Sequence, residues 1–299
     1  MKTLLIGSVG SSKVVLQAML ETNFPITHVF SLDEAVSLNV SGYYPIHEMA
    51  ESNQIPFTKF KKINDEENIN IIKSIAPDYI FVVGLSQLVS REIIDCAKLG
   101  VIGFHPTPLP KMRGRAANVW QVLLGVHETK CSMFFIDDGM DSGDILGQED
   151  YVIDDSDYAM DIYLKIEEAT YRLSKRVLKD IINGTLNPVK QNEAEATYLL
   201  KRSPEDGEID WNEPIEKIHR LIRAVSHPFP GAFGMYDGKH KFIIWRADIL
   251  ENTKYIGMNG QIARVGEDGI DVVCAGGLLH ITEFENVDGV KIFAGHKLR

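Results

Sequence analysis

Thr3-Leu-Leu-Ile-Gly7-Ser-Val-Gly10-Ser-Ser-Lys-Val-Val-Leu16-Gln-Ala-Met19-Leu20 is the stretch whose pattern decides the fold. Residues 3–7 form an apolar run without alternation, as a strand buried on both faces requires. Leu16, Met19 and Leu20 then recur at helical spacing. The same grammar repeats downstream. A strand is expected at Ile26–Phe30, a helix ending over Met49–Asn53, a short strand at Ile55–Phe57 and a helix over Asn68–Ser74. Pro77 punctuates that helix before the apolar run Tyr79–Val83. Unalternating strands separated by helices predict an α/β fold with a doubly wound, mostly parallel sheet and right-handed crossovers.

The loop after the first strand invites two readings that its spacing refuses. Gly7-Ser-Val-Gly10-Ser-Ser lacks the G-x-G-x-x-G spacing of a dinucleotide loop. Counted from Gly7, Lys13 falls where a P-loop lysine would, but Ser12 replaces the required Gly and Val14 the Ser or Thr that would hold Mg²⁺.

Beyond a strand at Ser132–Ile136 lies the longest helical signal. Asp154, Asp155 and Ser156 are its expected cap, Ile162, Ile166, Leu173, Val177 and Ile181 its apolar face, and Gly184 its stop. From Leu186 to Ala196 the pattern fades into polar residues and reads as a linker. A helix near Ile215–Val225 follows, then β-like runs at Phe242–Trp245, Gln261–Val265, Ile270–Val273 and Leu278–Phe284. Glycine-containing turns between them predict a small C-terminal β-barrel or sandwich. The expected division is an N-terminal domain over 1–190 and a C-terminal one over 201–299, as a length of 299 residues suggests.

Composition narrows the function classes. With 44% apolar and 24% charged residues the chain has an ordinary globular balance. A net charge of −11 argues against a nucleic-acid partner, whose phosphates favour a basic face. Cys96, Cys131 and Cys274 have neither metal nor redox spacing and read as small hydrophobes in a reducing compartment. His227, His240 and His280 are scattered, so no metal site is expected. The N-terminal apolar run is too short for a signal peptide, and no run approaches the ~20 residues that span a bilayer. The cytoplasm is the expected compartment.

Chemistry concentrates in two segments. Val101-Ile-Gly103-Phe-His105-Pro-Thr107-Pro-Leu109-Pro110-Lys-Met-Arg113-Gly114 carries a strand into a loop stiffened by three prolines. It leaves His105 at a strand's C-terminal end, where α/β sites form. Met133-Phe-Phe-Ile-Asp137-Asp138-Gly139-Met-Asp141-Ser-Gly143-Asp144-Ile-Leu146 runs a strand into an acidic, glycine-broken loop. For Asp137 or Asp138 alone a solvated turn is the simpler reading. A carboxylate beside an imidazole would orient it and stabilise its charged form, as a general base needs.

His-x-x-x-Leu-Pro-x-x-Arg-Gly over 105–114, followed by Asp-x-Gly-Asp-x-Leu over 141–146, resembles the N10-formyltetrahydrofolate-dependent formyltransferases. Arg202-Ser-Pro-Glu-Asp-Gly-Glu-Ile-Asp-Trp211, Leu221-Ile-Arg-Ala224 and His227-Pro-Phe-Pro-Gly-Ala-Phe233 resemble the second domain of the tRNA- and sugar-directed members. The resemblance covers nearly the whole chain. It implies a doubly wound catalytic domain with a small barrel-like second domain, and N10-formyltetrahydrofolate as co-substrate.

It further implies His105 and Asp141 as the catalytic pair. The folate would pack on Val83, Gly84, Leu85 and Ser86 and on the loop bearing Asp137, Asp138 and Gly139. For Val83–Ser86 a core strand with its exit turn explains the sequence equally well. Thr107, Arg113 and Asn118 are the positions expected to meet the acceptor, although Arg113 could equally tie the rigid loop to the fold. Family members place an oxyanion-binding Asn two residues before the His, where this chain has Gly103. Loop amides, Asn118 or a protonated His105 are the candidate replacements.

Three acceptors compete: a nucleotide-linked aminosugar, the methionyl group of initiator tRNA, and a peptidyl or small-molecule amine. The tRNA-directed members carry a basic loop after the second strand, whereas here Asp33, Glu34, Glu48 and Glu51 occupy that region without a basic cluster. A nucleotide-linked aminosugar of surface-polysaccharide or nonulosonic-sugar biosynthesis is therefore the expected partner. A folate-binding homologue without activity is the non-enzyme alternative, and a homo-oligomer stays open.

Overall fold

The structure, a computed structural model, describes residues 1–38 and 40–299. The first elements are β1 (Thr3–Gly7), α1 (Gly10–Glu21), β2 (His28–Leu32), α2 (Ile46–Ser52), β3 (Phe57–Phe60), α3 (Glu66–Ile75), β4 (Tyr79–Val83), α4 (Arg91–Ile94) and β5 (Gly100–His105). A two-residue strand β6 (Arg113–Gly114), α5 (Ala117–Leu123), β7 (Glu128–Phe135), β8 (Ile145–Val152), α6 (Ala159–Asn183) and β9 (Tyr198–Leu199) follow. The last third holds α7 (Ile215–Val225), β10 (Ala232–Tyr236), β11 (His240–Leu250), β12 (Ile262–Gly266), β13 (Gly269–Cys274) and β14 (Gly277–Asn286).

The chain forms two compact units that are not contiguous in sequence. Residues 1–117, 128–152 and 163–199 make the first, and 118–127, 153–162 and 200–299 the second. Two stretches read as N-terminal, 118–127 and 153–162, thus group with the C-terminal residues.

The first unit is built on a seven-stranded sheet of order β3-β2-β1-β4-β5-β7-β8. β1 to β5 are mutually parallel, and β7 and β8 add antiparallel at one edge. This is the doubly wound, mostly parallel sheet expected. β1 is buried at every residue, as its unbroken apolar run demands. The reading missed β8: Gly147, Gln148, Glu149 and Asp150 interrupt its apolar pattern, and pairing with β7 overrides their poor strand propensity.

The Gly7–Ser12 loop braces the exit of β4. Ser12 Oγ donates to the Val83 carbonyl at 2.6 Å and Ser8 Oγ to the Gly84 carbonyl at 2.8 Å. Ser8 and Ser12 thus serve the backbone. α6 begins three residues after the expected cap, where Asp161 accepts the Tyr158 N–H at 2.9 Å. It ends as expected at Gly184, whose φ of +67° lets the Thr185 N–H reach back to the Asp180 carbonyl. The stretch read as a linker is ordered: Val189 exchanges both main-chain hydrogen bonds with Ile145, each of 2.8 Å.

In the second unit, β10-β11-β14-β13-β12 form an antiparallel sheet. The last residues join its two edges. Met235 of β10 exchanges hydrogen bonds with Arg299, while Ile262 of β12 donates to the His296 carbonyl and accepts from Gly295. That closure produces the barrel-like form and satisfies edges that would otherwise template pairing with another chain. α7 is strongly amphipathic and buries Ile215, Ile218 and Ile222.

Among the described residues, no helix is long and apolar enough to cross a membrane, and no group of His, Cys, Asp and Glu is arranged to hold a metal ion. Cys131 and Cys274 are buried and Cys96 is half-buried. Burial pushes the thiols of Cys131 and Cys274 up to about 12, so neither is a ready thiolate.

Candidate active site

His105 is the last residue of β5, at the C-terminal edge of the parallel strands. The loop beyond it is pinned from the neighbouring antiparallel strands. Ser132 Oγ donates to the Thr107 carbonyl at 2.7 Å, Tyr151 to the Pro106 carbonyl at 2.9 Å and Gln148 to the Leu109 carbonyl at 2.9 Å. Three prolines remove donors from this loop, so carbonyls dominate its needs and side-chain donors meet them.

The loop returns its Met112 carbonyl to His105 Nε2, 2.8 Å away. A carbonyl only accepts, so Nε2 carries the proton in the neutral ring and Nδ1 keeps its lone pair. Nδ1 faces Asp141, with Oδ2 at 3.9 Å. Two acceptors share no proton, and that separation is what a bare Nδ1 and a carboxylate would keep. His105 is only 7% exposed, whereas the Asp141 side chain is 24% exposed, so the pair sits at the edge of solvent.

Asp141 is held independently of the imidazole. Its Oδ2 accepts the Gly114 N–H at 2.8 Å, and its own carbonyl accepts from Gln191 Nε2 at 2.8 Å. Its φ is +51°, a left-handed conformation that Asp tolerates better than most residues. The acidic loop therefore delivers one carboxylate to the histidine and leaves the rest outside. Asp137 closes its own turn with the Gly139 N–H and Ser142 hydroxyl, and Asp138 pairs with Arg91.

Position 103 shares the face of β5 with His105, because strand side chains alternate. A Cβ there would lie 2.9 Å from Phe134 Cζ and 3.0 Å from Ile136 Cγ1. Gly103 pairs directly with Phe134 across β5 and β7. The space a side chain at this position would occupy is filled by an aromatic ring and an isoleucine.

Residues 22–178 match the Formyl transferase family and residues 201–297 the Formyl transferase C-terminal domain. The chain belongs to the formyl transferase family.

Solved structures share the fold at low identity. A sugar 3N-formyl transferase, WlaRD, determined in the presence of dTDP and 5-N-formyl-THF, aligns with a TM-score of 0.68 and 20% identity over 96% of this chain and 98% of that one. Methionyl-tRNA formyltransferase from Clostridium thermocellum aligns at 0.61 and 22%, covering 93% and 100%. HypX from Aquifex aeolicus, in complex with tetrahydrofolic acid, aligns at 0.69 and 17%, covering 96% of this chain and 44% of that one. The formyl transferase described here thus spans less than half the length of HypX.

Other expected site residues divide by burial. Thr107 is fully buried, and its hydroxyl donates to the carbonyls of Lys111 and Met112 at 3.1 and 3.2 Å. Arg113 is 1% exposed. Its guanidinium donates to Gln191 Oε1, to both Glu193 oxygens and to the Tyr198 hydroxyl. The Glu193 carboxylate bonded to it raises the Arg113 pKa and is itself lowered in return. In both positions the side-chain polar groups are engaged within the protein. Asn118 lies half-buried on α5 in the second unit.

Val83 is core, and its carbonyl and that of Gly84 are occupied by serine hydroxyls. Leu85 packs on the core of the first unit and Ser86 is exposed. The main-chain groups of Leu85 and Ser86 make no hydrogen bond among the described residues.

Sequence reasoning missed Gln191. It is 5% exposed, and its amide joins Arg113 of the histidine loop to Asp141 and Gly143 of the acidic loop. A lone Gln in a polar stretch carries no periodic or motif signal.

Proposed function

We propose that this formyl transferase moves the formyl group of N10-formyltetrahydrofolate to the amine of a nucleotide-linked aminodeoxysugar. The observation that carries the transfer chemistry is the buried His105 with a bare Nδ1 facing Asp141. As a neutral amine adds to the formyl carbon, its proton has to leave and negative charge collects on the formyl oxygen. His105 Nδ1 accepts that proton. The resulting imidazolium donates toward Asp141 on one side and keeps its Nε2 bond to Met112 on the other. As the tetrahedral adduct collapses, the C–N10 bond breaks and the imidazolium returns the proton to N10, so tetrahydrofolate leaves neutral and the formylated amine remains. Asp141 thereby lowers the barrier only once the ring is charged, which is where electrostatic help counts. Gly103 supplies no side-chain donor to the oxyanion, so the new positive charge on His105 takes a larger share of that stabilisation.

The folate supplies the activated formyl group. The free main-chain donors and acceptors of Leu85 and Ser86, beside the half-buried Leu85 side chain, suit the edge and face of a flat heterocycle. Asp137 and Asp138 are engaged in their own loop and with Arg91, and the Gly139 N–H is bonded to Asp137, so the share assigned to the loop 137–139 falls on the Gly139 carbonyl.

The choice of acceptor rests on the segment after β2. Asp33 caps a short helical turn, and Glu34 in that turn pairs with His47 at 3.1 Å and Lys59 at 2.9 Å. With a net charge of −11 in addition, this segment offers phosphates no basic cluster. A sugar nucleotide, with two phosphates rather than a helix of them, is the acceptor this charge pattern favours. A cytoplasmic place in surface-polysaccharide or nonulosonic-sugar synthesis belongs to the same reading.

The test is to incubate the protein with N10-formyltetrahydrofolate and a panel of amines, following deformylated folate. Transfer to an aminosugar nucleotide and none to methionyl-tRNA is the expected result. Transfer to methionyl-tRNA alone would overturn the acceptor choice, and tight folate binding without transfer to any amine would favour a binding protein.

A further inference from the structure

We infer that Gln191 is a positioning residue for formyl transfer, setting Asp141 against His105. The inference rests on the proposed function only for its kinetic consequence.

The hydrogen bonds fix which way the amide points. Oε1 faces Arg113 Nε at 3.1 Å and Nη2 at 2.8 Å, both donors only. Nε2 faces the carbonyls of Asp141 at 2.8 Å and Gly143 at 2.7 Å, both acceptors only. All the contacts agree with one orientation, and the reverse would set donor against donor. No other uncharged side chain of this length offers two donors on one side and an acceptor on the other.

The placement explains how the turn at Asp141 persists. A non-glycine residue at φ +51° is held only where its surroundings over-determine it. Asp141 is gripped at its carbonyl by Gln191 and at Oδ2 by the Gly114 N–H. Both grips lead back to β6, since Gln191 is bound by Arg113 and Gly114 follows it. The segment carrying the acid and the loop carrying the base are thus registered through one buried amide together with the Gly114 N–H. Without the amide, the Asp141 and Gly143 carbonyls lose their side-chain donor, and the Gly114 N–H alone is left to hold Oδ2 against Nδ1.

Gln191→Glu tests this with little change of shape. It keeps an oxygen for Arg113 but replaces two donors with an acceptor facing two carbonyls. Gln191→Met removes every polar contact without adding charge and is read in the same way, so a folding defect in one variant leaves the other. The first readout is the Gly114 amide by NMR, which bonds to Asp141 and not to Gln191. Its exchange protection is expected to fall about tenfold or more while that of Ile102 in β5 stays unchanged. The second is kinetic, with an aminosugar nucleotide that the wild type accepts. The kcat is expected to fall about a hundredfold with KM for the formyl donor within about twofold. In an Asp141→Asn background, Gln191→Glu should cost nothing further. An unchanged Gly114 amide, or losses that multiply in the double variant, would overturn the inference. If the wild type formylates no amine, the proposed function fails while the amide readout still decides the role of Gln191.

Discussion

Oδ2 of Asp141 lies 3.9 Å from His105 Nδ1 but 2.8 Å from the Gly114 nitrogen. The carboxylate is therefore anchored by the backbone and not by the imidazole it faces. In the resting site it holds negative charge at a fixed place, and attraction to the imidazole becomes strong when Nδ1 takes a proton.

Asp141→Asn should retain the fold, because Asn tolerates the left-handed conformation and its Oδ1 can still accept from Gly114. It should lower kcat about a hundredfold or more, with KM for both substrates nearly unchanged, because it withdraws charge needed only in the transition state. Steady-state kinetics with a thermal melt checks both halves. Wild-type kcat would remove Asp141 from the mechanism.

Gly103→Asn introduces the residue that the family resemblance leads one to expect, and here it should not add a function. The new side chain meets Phe134 at 2.9 Å and Ile136 at 3.0 Å already at its Cβ. Overpacking of this kind costs about 1–3 kcal/mol. The expected outcome is a lower urea midpoint and a kcat no higher than the wild type's. A stable variant with faster turnover would show that Phe134 yields and that an oxyanion donor was simply missing.

The fold was legible because its signals are local and repeated. The unbroken runs at Thr3–Gly7 and Tyr79–Val83 locate β1 and β4, and α7 falls on the expected residues. Edges were less legible. The strand expected at Ile26–Phe30 runs over His28–Leu32, because pairing with β1 rather than apolarity sets its ends. At the site, His105 stood out through its proline-stiffened loop, while Asp141 was singled out from the acidic loop only by the family resemblance. Gln191, Gln148 and Tyr151 did not, since they act by reaching main-chain carbonyls far away in sequence, and such contacts leave no periodic trace. Arg113 keeps two readings, phosphate binding and loop tie, of which its burial favours the second.

Arg113→Lys separates those readings by experiment. An ammonium cannot reproduce the guanidinium fork that serves Gln191, Glu193 and Tyr198 together. The loss is expected to be about 2–3 kcal/mol of stability, the scale of charged hydrogen bonds left incomplete in a buried setting. Apparent KM for the nucleotide-linked acceptor should stay close to wild type at temperatures where the variant is folded. A selective rise in that KM, with an unchanged melting midpoint, would return Arg113 to phosphate binding.

Glu167 gives a pH-dependent prediction remote from catalysis. Its carboxyl lies against Gly10 at the start of α1, so close that a Cβ there would be 1.7 Å from Oε1. Burial raises its pKa above the ordinary glutamate value of 4.5, and the charge of Lys13 only partly offsets this. Below 4.5 the group is protonated in folded and unfolded chains alike and has no effect on stability. As pH rises past that value the unfolded chain releases its proton first. Stability then declines until the folded carboxyl has ionised too, and stays lower above that point. Glu167→Gln removes the titration, so it should be more stable than wild type near neutral pH, and the difference should shrink toward zero near about pH 4. Urea midpoints for both proteins across this range measure it. A less stable Glu167→Gln at neutral pH would mean that attraction between the carboxylate and the positive end of α1 outweighs the cost of burying it.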